Sequence, residues 1–289
     1  MPEGLVKLIA DDFDLKAVVA TEIEFYLHDV AAKLSPEQII LLIETTCAEA
    51  GIMLACAEAE RGPDQYEVSL LPSQDVMRLV EDTERFKTVI TDAFAKHDVR
   101  VDFAAKPLKE APGNGLHIHV HLEGSSGRNV YFREGETFSP MLLHSVGGLL
   151  ALMNPCMSIF APRPESYDRF LFAANDYLIC PTAINIPLTV SWGTNNRTVA
   201  IRLPQKAMDN KHIEHRVSCS DADIASVISA ILAGVHYGLS SKCNPGEPIY
   251  GDASLPQYAL PPLARSLEEA RKHRQESAEL KGYYSLIYA

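Results

Sequence analysis

The segment Pro112–Leu122 reads P-G-N-G-L-H-I-H-V-H-L, a turn that leads directly into a strand. The proline, glycine and asparagine residues at its start are typical of a tight turn. His117, His119 and His121 then occupy every second position, so in an extended strand their side chains project from one face. A buried strand seldom gives a face to imidazoles. The segment therefore predicts either a solvent-facing polar stripe or a strand that binds a ligand.

Composition and charge limit the classes of function. The chain has 289 residues, of which 47% are hydrophobic and 22% charged, values that are ordinary for a globular protein with a sizeable core. The formal net charge is -12 and no basic stripe offsets it, so the sequence argues against nucleic acid as a partner. An acidic chain can still bind a nucleotide when divalent cations lie between carboxylates and phosphates.

The sequence predicts a cytoplasmic protein with no membrane segment. Its six cysteines are scattered and form no C-x-x-C pair, so we expect reduced thiols, several of them buried. Residues 1–15 contain four acidic residues and lack the apolar core of a signal peptide. The most apolar run, Ile224–Leu239, contains His236 and two serines. It predicts a buried helix rather than a membrane span.

The arrangement of periodic segments predicts an α+β fold. Strand-like segments include Ala17–Leu27, Glu60–Leu71 and His212–Val217. One helix is expected after Ser35, and a long amphipathic one over residues 75–97. Long helices or short turns join neighbouring strands, without regular βαβ alternation. We therefore expect a mostly antiparallel sheet flanked by helices, within a single domain spanning residues 1–289.

Carboxylates recur in pairs on these strand-like segments. Glu22 and Glu24, in T-E-I-E-F-Y-L, are two positions apart and share a strand face. Like charges side by side destabilise a sheet unless a cation neutralises them; the wet face of an edge strand is an equal alternative. Glu60 and Glu67, in E-R-G-P-D-Q-Y-E, bracket a turn that could direct both acids to one point.

Basic residues lie in three compact motifs. The four arginines are Arg169 in S-Y-D-R-F, Arg197 and Arg202 in S-W-G-T-N-N-R-T-V-A-I-R-L-P, and Arg216 in H-I-E-H-R. The last motif also places His212 and Glu214 on the strand face of Arg216. An arginine in an apolar strand needs an anionic partner, which is either a neighbouring glutamate or a bound carboxylate or phosphate. These residues together indicate hard cations that hold an anionic substrate, and oxygen ligands favour Mg²⁺ or Mn²⁺ over zinc.

In their order and internal spacing, these six motifs resemble the glutamine synthetase family, and they look closest to its branch of γ-glutamyl–amine ligases. The resemblance extends from about Val18 to Leu280. It implies a curved, mostly antiparallel sheet, ATP and Mg²⁺ (or Mn²⁺) as cofactors, small-molecule substrates and a homo-oligomer. The implied reaction activates a glutamate-like carboxylate as an acyl phosphate, which ammonia or an amine then attacks. Two alternatives remain open: a catalytically silent protein that binds nucleotide and metal, and a metal-dependent hydrolase or phosphotransferase.

The resemblance also implies two divalent-cation sites and a set of substrate contacts. The first cation would be held by Glu24, Glu60 and Glu67, and the second by Glu22, His117 and Glu214. The substrate carboxylates and the acyl phosphate would be held by three catalytic arginines, Arg169, Arg197 and Arg216. The backbone at Asn114 and Gly115 would receive the amino-acid substrate. The nucleotide would meet His119, Arg202 and His212, whereas His121 has no counterpart in the family.

The sequence departs from the family pattern in several places. Only about twenty residues precede Glu22, so we expect the N-terminal β-grasp domain of about a hundred residues to be absent. In the family that domain completes the neighbouring active site and supplies an acid that helps to deprotonate ammonium. His212 stands where an arginine is usual, and D-A-D-I-A-S, which begins at Asp221, replaces the usual D-x-N-P-Y-L and keeps only its aspartate. Asp176 is the one candidate for the flap glutamate that shields the intermediate.

Overall fold

The computed structural model describes residues 1–30, 33–171, 185–204 and 210–288. The strands are β1 (Leu15–His28), β2 (Leu54–Ala59), β3 (Gln65–Leu70), β4 (Arg100–Asp102), β5 (Leu116–Gly124), β6 (Trp192–Thr194), β7 (Ile201–Leu203) and β8 (Ile213–His215). The α-helices are α1 (Pro2–Phe13), α2 (Pro36–Glu49), α3 (Val76–Ala95), α4 (Pro140–Ala151), α5 (Met153–Phe160), α6 (Ile224–Ser241), α7 (Leu267–Glu276), α8 (Ala278–Lys281) and α9 (Tyr284–Ile287). Short 3₁₀-helices cover Pro164–Phe170 and Pro256–Tyr258.

The eight described strands form one mixed sheet. Its order is β2-β3-β1-β5-β8-β7-β6, and β4 pairs with one end of β1. Every neighbouring pair is antiparallel except β6 and β7, which run parallel. The prediction of an α+β fold with a mostly antiparallel sheet and flanking helices is therefore confirmed.

The central strand β1 separates the apolar core from the polar face of the sheet. Ile23, Phe25 and Leu27 are buried in the core, while Glu22 and Glu24 point to the opposite face and are only partly buried. This alternation follows from the two-residue period of a strand. The prediction that the two glutamates share a face is confirmed.

The apolar helix α6 lies in the core, as the sequence predicts. It is long and apolar enough to cross a membrane, yet 72% of it is buried within the fold; α4 and α5 pass the same test only as a pair bent by 68°. A Cβ at Gly148 would lie 2.1 Å from the carbonyl oxygen of Gly234, and a Cβ at Gly238 would lie 2.1 Å from that of His144. Glycines thus permit the close approach of α4 and α6.

The structure differs from the sequence-based expectation around the turn at residues 60–64. The predicted strand Glu60–Leu71 is shorter, and it pairs with β2, which the sequence did not indicate. Alanine has a low strand propensity, so L-A-C-A-E-A carries little strand signal and becomes a strand by pairing with β3. Asp64 has a φ of 58°, a left-handed conformation that belongs to the turn rather than to a strand.

Candidate functional site

A charged cavity of about 220 Å³ lies on the polar face of the sheet. Most of its lining is ionisable: the acids Glu22, Glu24, Glu58, Glu60, Glu67 and Glu214, the arginines Arg61, Arg169, Arg197, Arg202 and Arg216, and His117. The structure thus brings together the six predicted cation ligands and the four predicted arginines around one space.

The strand register explains why these distant residues meet. Glu22 on β1 lies directly opposite His117 on β5, and Glu24 lies opposite Glu67 on β3. On the other side of β5, the residue paired with Glu214 of β8 is His119, two positions beyond His117. Cross-strand partners have Cβ atoms about 5 Å apart. Pairing alone therefore concentrates the acids and imidazoles.

One group of candidate ligands consists of Glu22, His117 and Glu214, whose ligand atoms lie within 4.8 Å of one another. Nδ1 of His117 is 2.5 Å from Glu22 Oε1 and 3.9 Å from Glu214 Oε1. Glu22 Oε2 is also 3.1 Å from Nε2 of His119. Although burial opposes it, the two histidines hold the pKa of Glu22 well below its ordinary value.

A second group, formed by Glu24, Glu67 and His117, also has its ligand atoms within 4.8 Å. Nε2 of His117 lies 3.9 Å from Glu24 Oε1 and is a buried atom with no hydrogen-bond partner among the described residues. The expected third ligand, Glu60, lines the same cavity outside this group, and its Oε2 accepts a hydrogen bond of 2.9 Å from the Arg61 N–H. A buried imidazole that has one unpartnered nitrogen and lies between two groups of carboxylates fits a site for divalent cations.

The pKa of Glu67 also favours a bound divalent cation in this cavity. Burial, together with the charges of Glu22, Glu24 and Glu60, raises the pKa of Glu67 to about 11. Burial and the charge of Glu24 also raise the pKa of Glu60. Without a cation, Glu67 therefore carries a proton at neutral pH, and a bound cation would displace that proton.

Glu214 is held between two arginines. It is 1% exposed, accepts a hydrogen bond of 2.7 Å from Arg202 and forms a second ion pair with Arg216. Burial alone would raise its pKa, but Arg216, His119 and His117 outweigh burial and lower it to about 2. Arg202 and Arg216 therefore bind a neighbouring glutamate, which is one of the two kinds of anionic partner that the sequence left open.

Arg169 and Arg197 differ in their surroundings. Arg169 is buried and donates hydrogen bonds to the main-chain carbonyl oxygens of Arg216 at 3.2 Å, Val217 at 2.8 Å and Ser218 at 3.1 Å. Its guanidinium therefore stabilises the segment that follows β8. Arg197 is exposed and lines the cavity.

The groups expected to receive the amino-acid substrate contact protein atoms. The side chain of Asn114 donates to the carbonyl oxygens of Asp102 and Ala104 and accepts from Gln65. The N–H of Gly115 donates to Glu24 Oε2 at 2.6 Å. Both residues are buried, and neither is among the described residues that line the charged cavity.

Gly115 leaves room for the side chains around it, which gives a testable prediction. A Cβ at this position would lie 2.6 Å from His117 Nε2 and 2.7 Å from Arg169 Nη2. We expect Gly115→Ala to displace His117 and to weaken Mn²⁺ binding by about 10- to 100-fold in a calorimetric titration. Gly124→Ala, at the far end of β5, is the control, because its new methyl would meet only Val130, at 3.7 Å. Equal Mn²⁺ affinity of the two variants would contradict the prediction.

A neighbouring cavity of about 320 Å³ is less charged. It is lined by His119, His121 and His212 and by apolar residues such as Leu70 and Pro72, and Glu22 lines both cavities. The rings of His119 and His212 lie 5.1 Å apart, and Nδ1 of His212 is 3.0 Å from the carbonyl oxygen of Asn210. The three predicted nucleotide-contacting residues are therefore divided, because Arg202 lines the charged cavity.

Sequence reasoning missed Glu58, Arg61 and Gln65, all of which line the charged cavity. Glu58 lies opposite Glu67 in the sheet and two positions before Glu60, a spacing that could have indicated it. Arg61 lies in the turn and Gln65 is the first residue of β3, so neither gives a periodic signal. Asp176, the candidate for the flap glutamate, lies outside the described residues.

Comparison with known proteins agrees with the fold. Residues 28–285 match the family model described as glutamine synthetase, catalytic domain. Gamma-glutamylputrescine synthetase PuuA of Escherichia coli (strain K12) is 35% identical over 212 residues, covering 73% of this chain and 42% of that protein. A glutamate–isopropylamine ligase of Pseudomonas sp is 30% identical over 304 residues, covering 93% of this chain and 62% of that protein.

A solved structure, described as a GmaS/ADP complex, superposes with a TM-score of 0.85 at 22% identity, covering 97% of this chain and 68% of that one. That likeness supports the fold. The chain spans about half the length of the two curated relatives it matches. With the family model matching most of its length, the chain belongs to the glutamine synthetase catalytic-domain family.

Proposed function

We propose that this chain catalyses the ATP-dependent ligation of an amine to the side-chain carboxylate of a glutamate-like substrate. The observation that carries the proposal is the pair of ligand groups that converge on His117, with arginines on the same cavity. The names of the two curated relatives, a glutamylputrescine synthetase and a glutamate–isopropylamine ligase, support an amine as the nucleophile.

Two divalent cations would be held by the acids of the charged cavity. We assign Glu22 and Glu214 to one cation and Glu24, Glu60 and Glu67 to the other. His117 lies within reach of both groups, but a neutral imidazole offers one lone pair; we assign it to the cation of Glu22 and Glu214. When bound, the cations would neutralise the phosphate charge of ATP and make its γ-phosphorus more electrophilic.

The proposed reaction has two steps. A carboxylate oxygen of the substrate forms a bond to the γ-phosphorus of ATP while the bond to the β–γ bridging oxygen breaks, and ADP leaves. The ammonium form of the amine gives one proton to water, and the neutral nitrogen then attacks the carbonyl carbon. The bond from that carbon to the former carboxylate oxygen breaks, phosphate departs with that oxygen, and the nitrogen gives a second proton to water to leave the amide. A carboxylate alone is a poor electrophile, which is why the phosphoryl transfer must come first.

The arginines and histidines are assigned from their positions on the two cavities. Arg197, exposed on the charged cavity, is proposed to bind a substrate carboxylate or the acyl phosphate. Arg202 and Arg216 would share their guanidinium groups between Glu214 and phosphate oxygens. His119 and His212, on the second cavity, are proposed to contact the nucleotide.

Oxygen transfer tests this reaction directly. With glutamate labelled by ¹⁸O in its side-chain carboxylate, ATP, Mg²⁺ and a panel of amines, we expect one ¹⁸O atom in the inorganic phosphate formed with each ADP. Mass spectrometry of the phosphate measures the label. Release of unlabelled phosphate would indicate direct hydrolysis of ATP, and the absence of ADP with every amine would contradict the proposal.

A catalytically silent binding protein is the second candidate. It is favoured by one observation: Gly115 and Arg169, expected to contact the substrate, are already hydrogen-bonded to protein atoms. Calorimetry distinguishes the two, because binding of ATP and Mg²⁺ without turnover would favour the silent protein. A cytoplasmic location and a homo-oligomer stay predictions.

A further inference from the structure

Lys87 lies in the middle of α3 and points toward the segment behind the cation site. Its Nζ donates a hydrogen bond of 3.0 Å to the carbonyl oxygen of Ser220 and lies 5.9 Å from the centre of the Phe103 ring. Burial lowers the pKa of Lys87, although the nearby acids Glu84, Asp221 and Asp223 oppose this effect. Partial burial of an ammonium group costs free energy because the group loses contacts with water. Here a hydrogen bond to a main-chain carbonyl oxygen takes the place of such a contact.

Ser220 connects that lysine to both sides of the site. It is fully buried, and its hydroxyl donates a hydrogen bond of 2.5 Å to the carbonyl oxygen of Glu24. Its N–H donates to the carbonyl oxygen of Asn114 at 3.2 Å. Ser220 therefore bonds to β1 and to the turn before β5 at the same time.

β1 and the turn before β5 are also hydrogen-bonded to each other. The N–H of Glu24 donates to the carbonyl oxygen of Gly115 at 3.0 Å, and the N–H of Gly115 donates to the Glu24 carboxylate at 2.6 Å. A chain of hydrogen bonds thus runs from Lys87 through Ser220 to Glu24, a candidate cation ligand.

We propose that Lys87 is a positioning residue for the cation site, acting through Ser220 on the main chain of Glu24 and Gly115. This inference rests on the proposed function, in which Glu24 binds a cation. Partners that orient metal ligands typically contribute 10- to 100-fold to metal affinity. Lys87 itself is not among the described residues that line the charged cavity.

The test is Mn²⁺ affinity, measured by the electron paramagnetic resonance signal of free Mn²⁺ with the full chain. We expect Lys87→Met to weaken Mn²⁺ binding by about tenfold or more. Lys87→Arg keeps a cationic donor and should remain within about threefold of the original protein. Lys96→Met, at the exposed end of the same helix, is the matched control and should leave the affinity unchanged.

A second variant covers the case in which Lys87→Met does not fold. Ser220→Ala removes only the hydrogen bond to Glu24, and we expect it to weaken Mn²⁺ binding as well. Unchanged Mn²⁺ affinity in folded Lys87→Met, or in Ser220→Ala if the former does not fold, would overturn the inference while leaving the proposed function intact. Failure of the unmodified protein to bind Mn²⁺ would overturn both.

Discussion

Glu67→Gln is expected to abolish the stabilisation that the folded chain gains from the Mn²⁺ ion assigned to Glu24, Glu60 and Glu67. An amide is a poorer ligand than a carboxylate, and it cannot supply the negative charge that the cation needs. At a free Mn²⁺ concentration of 100 times the Kd of that site, this ion should add about 2.7 kcal/mol to the free energy of unfolding of the unmodified protein. Thermal melting with and without Mn²⁺ measures the gain, which corresponds to roughly 5–10 °C.

The same variant should alter the pH dependence of stability in EDTA. Folded Glu67, whose pKa is raised to about 11, keeps a proton that the unfolded chain loses near its ordinary value of about 4.3. Its neutral form therefore contributes stability that is fully present below that value and is lost as pH rises toward 11. Glu67→Gln has no proton to lose, so its stability lacks this pH dependence. Between pH 5 and pH 8, its free energy of unfolding in urea should therefore fall less than that of the unmodified protein.

Glu81→Gln serves as the control for both experiments, because Glu81 is an exposed residue on α3. It should change neither the Mn²⁺ effect nor the pH slope. If Glu67→Gln retained the full Mn²⁺-dependent shift in melting temperature, Glu67 would not be a cation ligand.

Arg216→Met should lower the free energy of unfolding by about 3–5 kcal/mol, because it leaves the buried carboxylate of Glu214 with one arginine instead of two. The loss should shrink in acid: the stability contributed by ionised Glu214 is present above its unfolded pKa and is lost as pH falls toward about 2. Urea denaturation at pH 7 and pH 3 measures both effects.

Arg78→Met is the matched control, since Arg78 is half-exposed and pairs with Asp82 on the surface of α3. It should cost less than about 1 kcal/mol. Adding Glu214→Gln to Arg216→Met removes the unpaired charge and should restore part of the lost stability. Equal destabilisation by Arg216→Met and Arg78→Met would contradict the structure at this pair.

The features that the sequence predicted well are local ones, such as which side chains share a strand face. Glu22 and Glu24 share one strand face, and so do His117 and His119, because each pair is two positions apart in a strand. That spacing is visible in the sequence. The family motifs then indicated which of these faces meet. Both kinds of information depend only on residues that are close together in the chain or in a recognisable order.

The features that the sequence could not predict depend on contacts between distant segments of the chain. The strand β2 forms because β3 pairs with it, so the alanine-rich sequence of β2 hid both the strand and the acid Glu58. The three main-chain carbonyls bound by Arg169 are also invisible in its motif, since they belong to residues 216–218. Lys87 carries no motif at all, and only the packing of α3 shows what it bonds to.

Anomalous diffraction from crystals soaked in Mn²⁺ tests most directly whether carboxylates from β1, β3 and β8 converge to bind cations. We expect two Mn²⁺ peaks in the charged cavity, one bonded to Glu22 and Glu214 and the other to Glu24 and Glu67, with the His117 ring on the first. Saturating Mn²⁺ that left this cavity without a peak, while occupying carboxylates elsewhere on the surface, would contradict that arrangement.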